Sequence, residues 1–364
     1  MILKKIKLNT EKLNSKLEKL IAIVNKKEVV IFASVFLIVW MTLYLILFTP
    51  NYYDKPSPIK FEIHNGEPLN SIINRLYDTG IIPSKKNMFL ASYIYGAQNK
   101  LRAARYHIPN GLSYLDLIDL FTKGKADFLR RVYLRDGLSA KWMAYILKKK
   151  ILMDSTSFVN LSKDESFVRS LGLQRNSLEG FLMPGEYEFY ERSTGKEVLK
   201  RLYKSFQEFM VDSLWEQTKK SGYSFEQVVT LASIIKGETN YKAEMPKIAS
   251  VYLNRLRIGM RLQADPTIQF LQTNGWKRLL YDDLKIDSPY NTYKYAGLPP
   301  GPINNPGKAA ILAVLYPAKT RFLYFVANGK GGHNFSNSYN QHLRNVKKFR
   351  RWVRQQKRKA KQKS

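Results

Sequence analysis

The sequence predicts an α/β (α+β) chain in three parts: a single N-terminal transmembrane helix, a small β-α module, and a mixed, loop-rich domain in the last third. Three observations predict it. Residues 29–48, VVIFASVFLIVWMTLYLILF, carry no charge and have about the length that crosses a bilayer as a helix. Three later stretches each read as a short strand, a glycine turn and an amphipathic helix. In residues 224–239, SFEQVVTLASIIKGET, Val228, Leu231 and Ile235 follow a 3.6-residue period, one buried stripe of a helix that Ser224 can cap.

Ahead of the span, Lys4, Lys5, Lys7, Lys12, Lys16, Lys19, Lys26 and Lys27 are opposed only by Glu11, Glu18 and Glu28. The positive-inside rule keeps that end in the cytoplasm and puts everything after Phe48 outside. A cleaved signal peptide would have an apolar region of roughly 7–15 residues followed by small residues. Thr49-Pro50-Asn51-Tyr52-Tyr53 offers no such site, so the span is expected to be a permanent anchor. Leu13, Leu17, Leu20, Ile21 and Val24 form a stripe among the lysines. That stripe fits a helix on an anionic leaflet or a partner, and equally a solvated extension of the span.

With 364 residues, 45% of them hydrophobic, the chain can bury a sizeable core in two or three domains. A net charge of +31 invites a nucleic-acid reading, but the predicted topology puts most of that charge outside the cell, so no nucleic acid is expected as a partner. The absence of cysteine removes disulfides and thiolate chemistry. His64, His107, His333 and His342 form no helical pair, which argues against a metal site, and no Walker loop or dinucleotide fingerprint supports a cofactor.

After a polar linker the three units follow: FEIHNGEPLNSIINRL from Phe61, YHIPNGLSYLDLIDLF from Tyr106 and VYLRDGLSAKWMAYIL from Val132. Gly66, Gly111 and Gly137 hold equivalent places, where a tight turn calls for positive φ. Pro68, Ser113 and Ser139 start the helices, and Ser113 with Asp116 fits a capping box. The module has the scale of the wall-glycan-binding LysM modules, and a spacer holding the next domain off the membrane would read the same way. Residues 147–171 read as mostly helical. A turn-rich stretch, LEGFLMPGEYEF, brings Glu179 and Glu186 as candidate second carboxylates or as capping and surface groups.

Glu238 extends the Val228, Leu231, Ile235 stripe. A carboxyl ending an apolar row is desolvated, which raises its pKa toward the range of a general acid. A helix whose last turn reaches solvent would fit as well. The loops beyond, LQADPT, SPYNTY and GLPPGPI, are proline-locked and rich in Asn, Gln and Tyr. They suit a saccharide groove, and also stiff surface loops without a ligand.

Four runs then occur in order: ASIIKGETN, IASVYLNRLRIGMRLQADPTIQF, SPYNTYKYAGLPPGPINNPGKAAI and YPAKTRFLYFVANGKGGHNFS. Together they resemble the YceG-like family of endolytic murein transglycosylases, and the likeness extends over about residues 58–345. The resemblance implies cleavage of MurNAc–GlcNAc bonds within nascent peptidoglycan glycan strands, without water, leaving 1,6-anhydro-MurNAc ends and limiting strand elongation. It implies no cofactor. It makes the glycan strand and the membrane the partners, with the cell-wall synthesis machinery as a neighbour. On this reading residues 1–28 are a basic cytoplasmic segment, 29–48 the span, 49–57 a linker, 58–146 a LysM-like module, 147–221 a connecting region, 222–345 the transglycosylase catalytic domain and 346–364 a basic tail.

The family commonly reads Ile-Val-Glu-Lys-Glu-Thr where this chain has Ile234-Ile235-Lys236-Gly237-Glu238-Thr239. Positions 236 and 238 lie about 200° apart around a helix. The stripe selects Glu238 as the acid/base, with Lys236 pointing away. Gln263, Asp265, Asn291 and Tyr293 are expected in the substrate groove on the strength of the matching motifs. His333 is expected there or as a loop histidine bonded to backbone. The tail is expected to be solvated and mobile, a weak electrostatic tether. Lys236 also leaves open a catalytically silent peptidoglycan-binding scaffold of the same fold.

Overall fold

The computed structural model describes residues 26–272 and 277–361 and divides into two units, 1–128 and 129–364. In the first, α1 (Lys26–Phe48) is long and apolar enough to cross a membrane. Its side chains face outward, Phe32 and Phe36 being 72% and 71% exposed, whereas Leu47 near its end is buried in the unit's core. The apolar stripe from Leu13 to Val24 lies outside the described residues.

That core belongs to a strand–helix–helix–strand arrangement. Strand β1 (Ile59–Ile63) pairs antiparallel with β2 (Ala104–Ile108), Phe61 opposite Tyr106. Between them run α2 (Leu69–Asp78) and α3 (Lys85–Ile94), and α4 (Tyr114–Thr122) follows. Ile72, Ile73 and Leu76 of α2 and Leu117, Ile118 and Phe121 of α4 bury the stripes that their spacing predicts. The predicted linker is part of this unit. Asn51 N–H donates to Leu112 O at 2.9 Å, and the buried Tyr53 hydroxyl to Ile108 O at 2.6 Å.

All three turn glycines take positive φ, +74° at Gly66 and +83° at Gly111 and Gly137. The N-caps fall at Pro68, Ser113 and Ser139, with the Ser113–Asp116 capping box closed. The third β-turn-α unit, however, sits in the second unit of the fold. Its strand β3 (Leu129–Leu134) pairs antiparallel with β4 (Gly185–Tyr190), Val132 opposite Tyr187. Its helix α5 (Ala140–Ile151) buries Met143, Ala144 and Leu147 in that core. Local pattern repeats across the chain; strand partners do not.

In the second unit, α6 (Ser155–Leu161), α7 (Glu165–Ser170), α8 (Gly195–Phe209) and α9 (Asp212–Ser221) surround a central helical group. That group is α10 (Phe225–Glu238), α11 (Met245–Arg257), the short α12 (Asp265–Phe270) and α13 (Lys308–Leu315). Helix α10 starts at a Ser224–Gln227 capping box and buries every residue from Val228 to Ile235. A β-ribbon, β5 (Tyr324–Ala327) with β6 (His333–Ser336), precedes α14 (Tyr339–Lys361). The described part of the tail that was expected to be mobile, residues 346–361, is thus the second half of a helix. Every strand pair among the described residues is antiparallel and two-stranded, so the class is α+β, without the parallel sheet of α/β folds.

One buried side chain ties the loops together. Asn305, fully buried, donates from Nδ2 to Leu138 O at 3.0 Å and to Glu179 Oε1 at 2.8 Å. Its Oδ1 accepts from Gly180 N–H at 2.8 Å and Leu182 N–H at 3.0 Å. Next to it, Ile303 N–H donates to Ser233 Oγ at 3.0 Å and Asn304 Nδ2 to Ser233 O at 2.8 Å, so the Pro-rich loop is stapled to the middle of α10. Truncating Asn305 strands several buried donors and acceptors at once. Asn305→Ala is expected to destabilise the second unit by on the order of 2–4 kcal/mol, read as a drop of several degrees in thermal melts followed by circular dichroism; an unchanged melt would refute the staple.

Candidate active site

Helix α10 ends on Glu238, and two clefts meet there. The larger, of about 1610 Å³, is lined by Asp136, Trp142, Glu179, Lys236, Asp265 and Tyr290 among others. The smaller, of about 700 Å³, is lined by Thr239, Tyr241, Gly332, His333, Phe349 and Trp352 among others. Glu238, Gly237 and Asn240 belong to both.

The Glu238 carboxyl is only partly accessible and is surrounded by protein, and this desolvation pushes its pKa up to about 7. The Tyr252 hydroxyl, donating to Glu238 Oε1 at 2.5 Å, pulls the other way; the charge of Asp265 adds to the rise and that of Arg255 opposes it. Burial and the facing carboxyl hold the Tyr252 phenol well above its ordinary pKa, so it remains a donor. Its ring is packed edge-on to Phe325 at 5.9 Å. Arg255, one turn further along α11, donates to Leu323 O at 2.7 Å and Leu262 O at 2.5 Å, fixing the strand and loop on either side.

The motif residues at the helix end have a steric logic. A Cβ on Gly237 would lie 2.5 Å from Pro266 Cβ, so glycine is what lets the start of α12 pack against the last turn of α10. That contact brings Asp265 into the larger cleft, where Tyr293 Oη donates to its Oδ1 at 2.5 Å. Tyr293 is half-buried, and its phenol is pushed above its usual range by burial and by Asp265.

Of the expected groove residues, the structure brings Asp265 and Tyr293 together beside Glu238 and leaves two aside. Asn291 is fully buried, its Nδ2 donating to Leu284 O and Ile286 O and its Oδ1 accepting from Tyr293 N–H, so its amide is spent on shaping the loop. Gln263 is exposed with φ +49° and lines neither cleft; its N–H bonds Thr292 O at 3.0 Å. His333 lines the smaller cleft, held by Glu244, which accepts from its Nδ1 at 2.9 Å and from its N–H at 3.0 Å. At the start of β6 its ring is held by a carboxylate, so it is not the backbone-bonded loop histidine that was the other expectation.

Lys236 and Glu238 do not point to opposite surroundings: both line the larger cleft, because the cleft wraps around the end of α10. The lysine stem lies on Gly137 and its ammonium donates to Asn240 Oδ1; burial lowers its pKa, against the opposing pull of Asp136. Glu179 joins two roles. It accepts from Ala140 N–H at the start of α5 at 3.1 and 3.2 Å, and it lines the larger cleft with its pKa pushed by burial up to about 7. Glu186 is exposed on β4 beside Arg131. Among the described residues, no group of three His, Asp or Glu side chains could hold a metal ion.

Sequence reasoning did not single out Tyr252 or Glu244. A phenol on a buried stripe needs a partner, which was the available signal for Tyr252. Glu244 and its histidine are 89 positions apart, and no local pattern links them.

The raised pKa has a consequence for stability. Between its ordinary 4.5 and about 7, folded Glu238 keeps a proton that the unfolded chain releases, so its contribution to stability falls as pH rises through that window and stays low above it. Glu238→Gln removes the ionisation and keeps an acceptor for Tyr252. Melting temperatures should show the variant gaining on the parent at pH 8 and much less at pH 5; the same difference at both pH values would contradict the desolvated carboxyl.

The sequence profile of the YceG-like family matches residues 61–348. An endolytic murein transglycosylase of Bacillus subtilis (strain 168) is 30% identical over 318 residues, covering 83% of this chain and 88% of its own. One of Streptococcus pneumoniae R6 is 27% identical over 317 residues, covering 78% of this chain and 57% of its own. Among solved structures, a putative yceG-like protein from Listeria monocytogenes superposes with a TM-score of 0.55 at 28% identity, over 79% of this chain and 99% of that one.

Proposed function

The chain belongs to the YceG-like family, and on that premise we propose that it is a membrane-anchored lytic transglycosylase that cuts peptidoglycan glycan strands internally with Glu238 as the single acid/base. The observation that carries this reading is a carboxyl with a pKa near 7 at the meeting point of two clefts. An internal cut needs room for saccharide on both sides of the scissile bond, and the general acid at the boundary.

Protonated Glu238 gives its proton to the GlcNAc O4 as the MurNAc C1–O4 bond breaks. The positive charge developing at C1 is supported by the substrate's own acetamide. The carboxylate, steadied by the Tyr252 hydroxyl, then takes the proton of the MurNAc C6 hydroxyl as that oxygen closes onto C1. Glu238 is restored, and a 1,6-anhydro end and a free O4 hydroxyl result. Asp265 lines the path beside it, held by the Tyr293 hydroxyl. Glu244 holds His333 on the wall of the smaller cleft. The LysM-like role of the first unit and its place outside the cell, set by the lysines before α1, belong to the same proposal. So does its work beside the wall-synthesis machinery.

Positioned acid/base catalysis contributes on the order of 10²–10⁴ in rate, so Glu238→Gln should lose at least that factor. Mass spectrometry of digests of purified peptidoglycan should find anhydro-MurNAc ends from the parent and none from the variant. Wall binding by both with product from neither would establish the scaffold reading instead. Because the acid must be protonated, kcat/KM of the parent should fall as pH rises through about 7; a rate that rises there would remove Glu238 as the acid.

A further inference from the structure

The larger cleft offers more than a glycan backbone requires. Arg135, Lys141 and Arg278 line it as exposed cations, with no ion-pair partner among the described residues. The carboxyls that share the cleft are engaged elsewhere. Asp265 accepts from Tyr293, Glu179 from Ala140 N–H and Asn305, and Glu238 from Tyr252. The Asp136 carboxyl lies against the backbone of Gly307, where an added Cβ would come within 2.3 Å of it. Cationic side chains also outnumber the carboxyls that line this cleft, so the wall keeps an excess of positive charge.

On the same wall α5 turns two large rings outward. Trp142 and Tyr145 are 53% and 46% exposed and meet edge-on at 5.7 Å, while Met143, Ala144 and Leu147 anchor the helix beneath them. A rigid, amphipathic aromatic surface in a cleft suits the C–H face of a sugar. A stripped muramyl residue carries a single carboxylate, on its lactyl group close to the ring. A stem peptide joined there by an amide replaces it with several carboxylates spread over a longer reach, which suits three separate cations on the wall.

We propose that this arm of the cleft is a subsite for a muramyl saccharide that still carries its stem peptide, with Trp142 against a sugar ring and Lys141, Arg135 and Arg278 taking the peptide carboxylates. The proposal rests on the transglycosylase reading and deepens it: the protein discriminates peptide-bearing strands from stripped ones. A polyanionic wall polymer would answer the charge but leave the rings without a role, whereas the substrate strand supplies both groups together.

The test measures binding by the full chain in detergent, in the Glu238→Gln background so that nothing turns over. The probes are soluble glycan strands with stem peptides and the same strands after amidase removal of the peptides, which leaves one lactyl carboxylate on each muramyl ring in place of the several that the peptide carries. Peptide-bearing strands should bind about five-fold tighter or more at low salt, the scale that a few exposed charge pairs produce, with the ratio shrinking at high salt. Lys141→Glu with Arg278→Glu should bring the ratio to about one. Trp142→Ala should weaken both ligands and keep the ratio. Equal affinity in the parent, no binding of either strand, or a ratio untouched by the charge reversal would overturn the subsite. So would competition by polyglycerol phosphate stronger than by free stem peptide. Absence of anhydro products from the wild-type chain with the binding ratio intact would instead overturn the lyase reading alone.

Discussion

The second unit depends on one buried amide. Asn305 donates to Leu138 O and to the Glu179 carboxyl while accepting from Gly180 and Leu182 N–H, so a single side chain joins the turn before α5, the turn-rich segment before β4 and the Pro-rich loop. Those are segments with little regular structure of their own, and their backbone groups have no ladder to satisfy them. The adjoining Ser233 bonds fasten the same loop to α10. The wall of the larger cleft is therefore rigid for the same reason that α10 is held in place. Glu179 is drawn into the cleft as part of the clamp, which accounts for its burial without a catalytic role.

At the end of α10 the question is which influence governs the carboxyl. Tyr252 and Arg255 both favour the anion, and each is in or near contact; desolvation and Asp265 favour the acid, and the balance comes out near 7. A carboxyl in water would be almost wholly ionised at neutral pH and useless as a proton donor. One without Tyr252 would hold its proton more tightly and be a reluctant acid. The opposing terms leave a group able to give a proton and take one back within a cycle. The C-terminal end of a helix reinforces the acid form, since the exposed carbonyls there disfavour a negative charge.

Much of this was legible in the sequence because it is local. Glycine turns with positive φ, serine caps, the capping boxes and the buried stripe that leads to Glu238 all depend on neighbours within a turn or two. What failed was non-local. Repetition grouped the third β-turn-α unit with the first two, but β3 pairs with a strand more than fifty residues on. Motif resemblance nominated Asn291, and only the fold reveals that its amide is used up by Leu284 and Ile286 carbonyls. A helical wheel separated Lys236 from Glu238, and a wheel has no end. At a helix terminus a cleft can wrap around the axis, and a long side chain reaches it from the far side.

That last point bears on the departure at position 236. If a first-position carboxylate were the acid, lysine there would silence the site. The geometry gives lysine a different place: its stem packs on Gly137 and its ammonium bonds Asn240, inside the larger cleft but turned from the Tyr252 contact that holds Glu238. A hydrolase of the usual kind would also need a second, ionised carboxylate across the bond. Glu179 is a poor candidate, because its oxygens are committed to Ala140 N–H and Asn305 and its burial favours the neutral form. A reaction in which the substrate's own hydroxyl closes the ring asks for one carboxyl that changes state twice. On the proposed reading Glu238 is that group, and the Lys236 ammonium in the same cleft adds to the positive charge that peptide-bearing strands would meet.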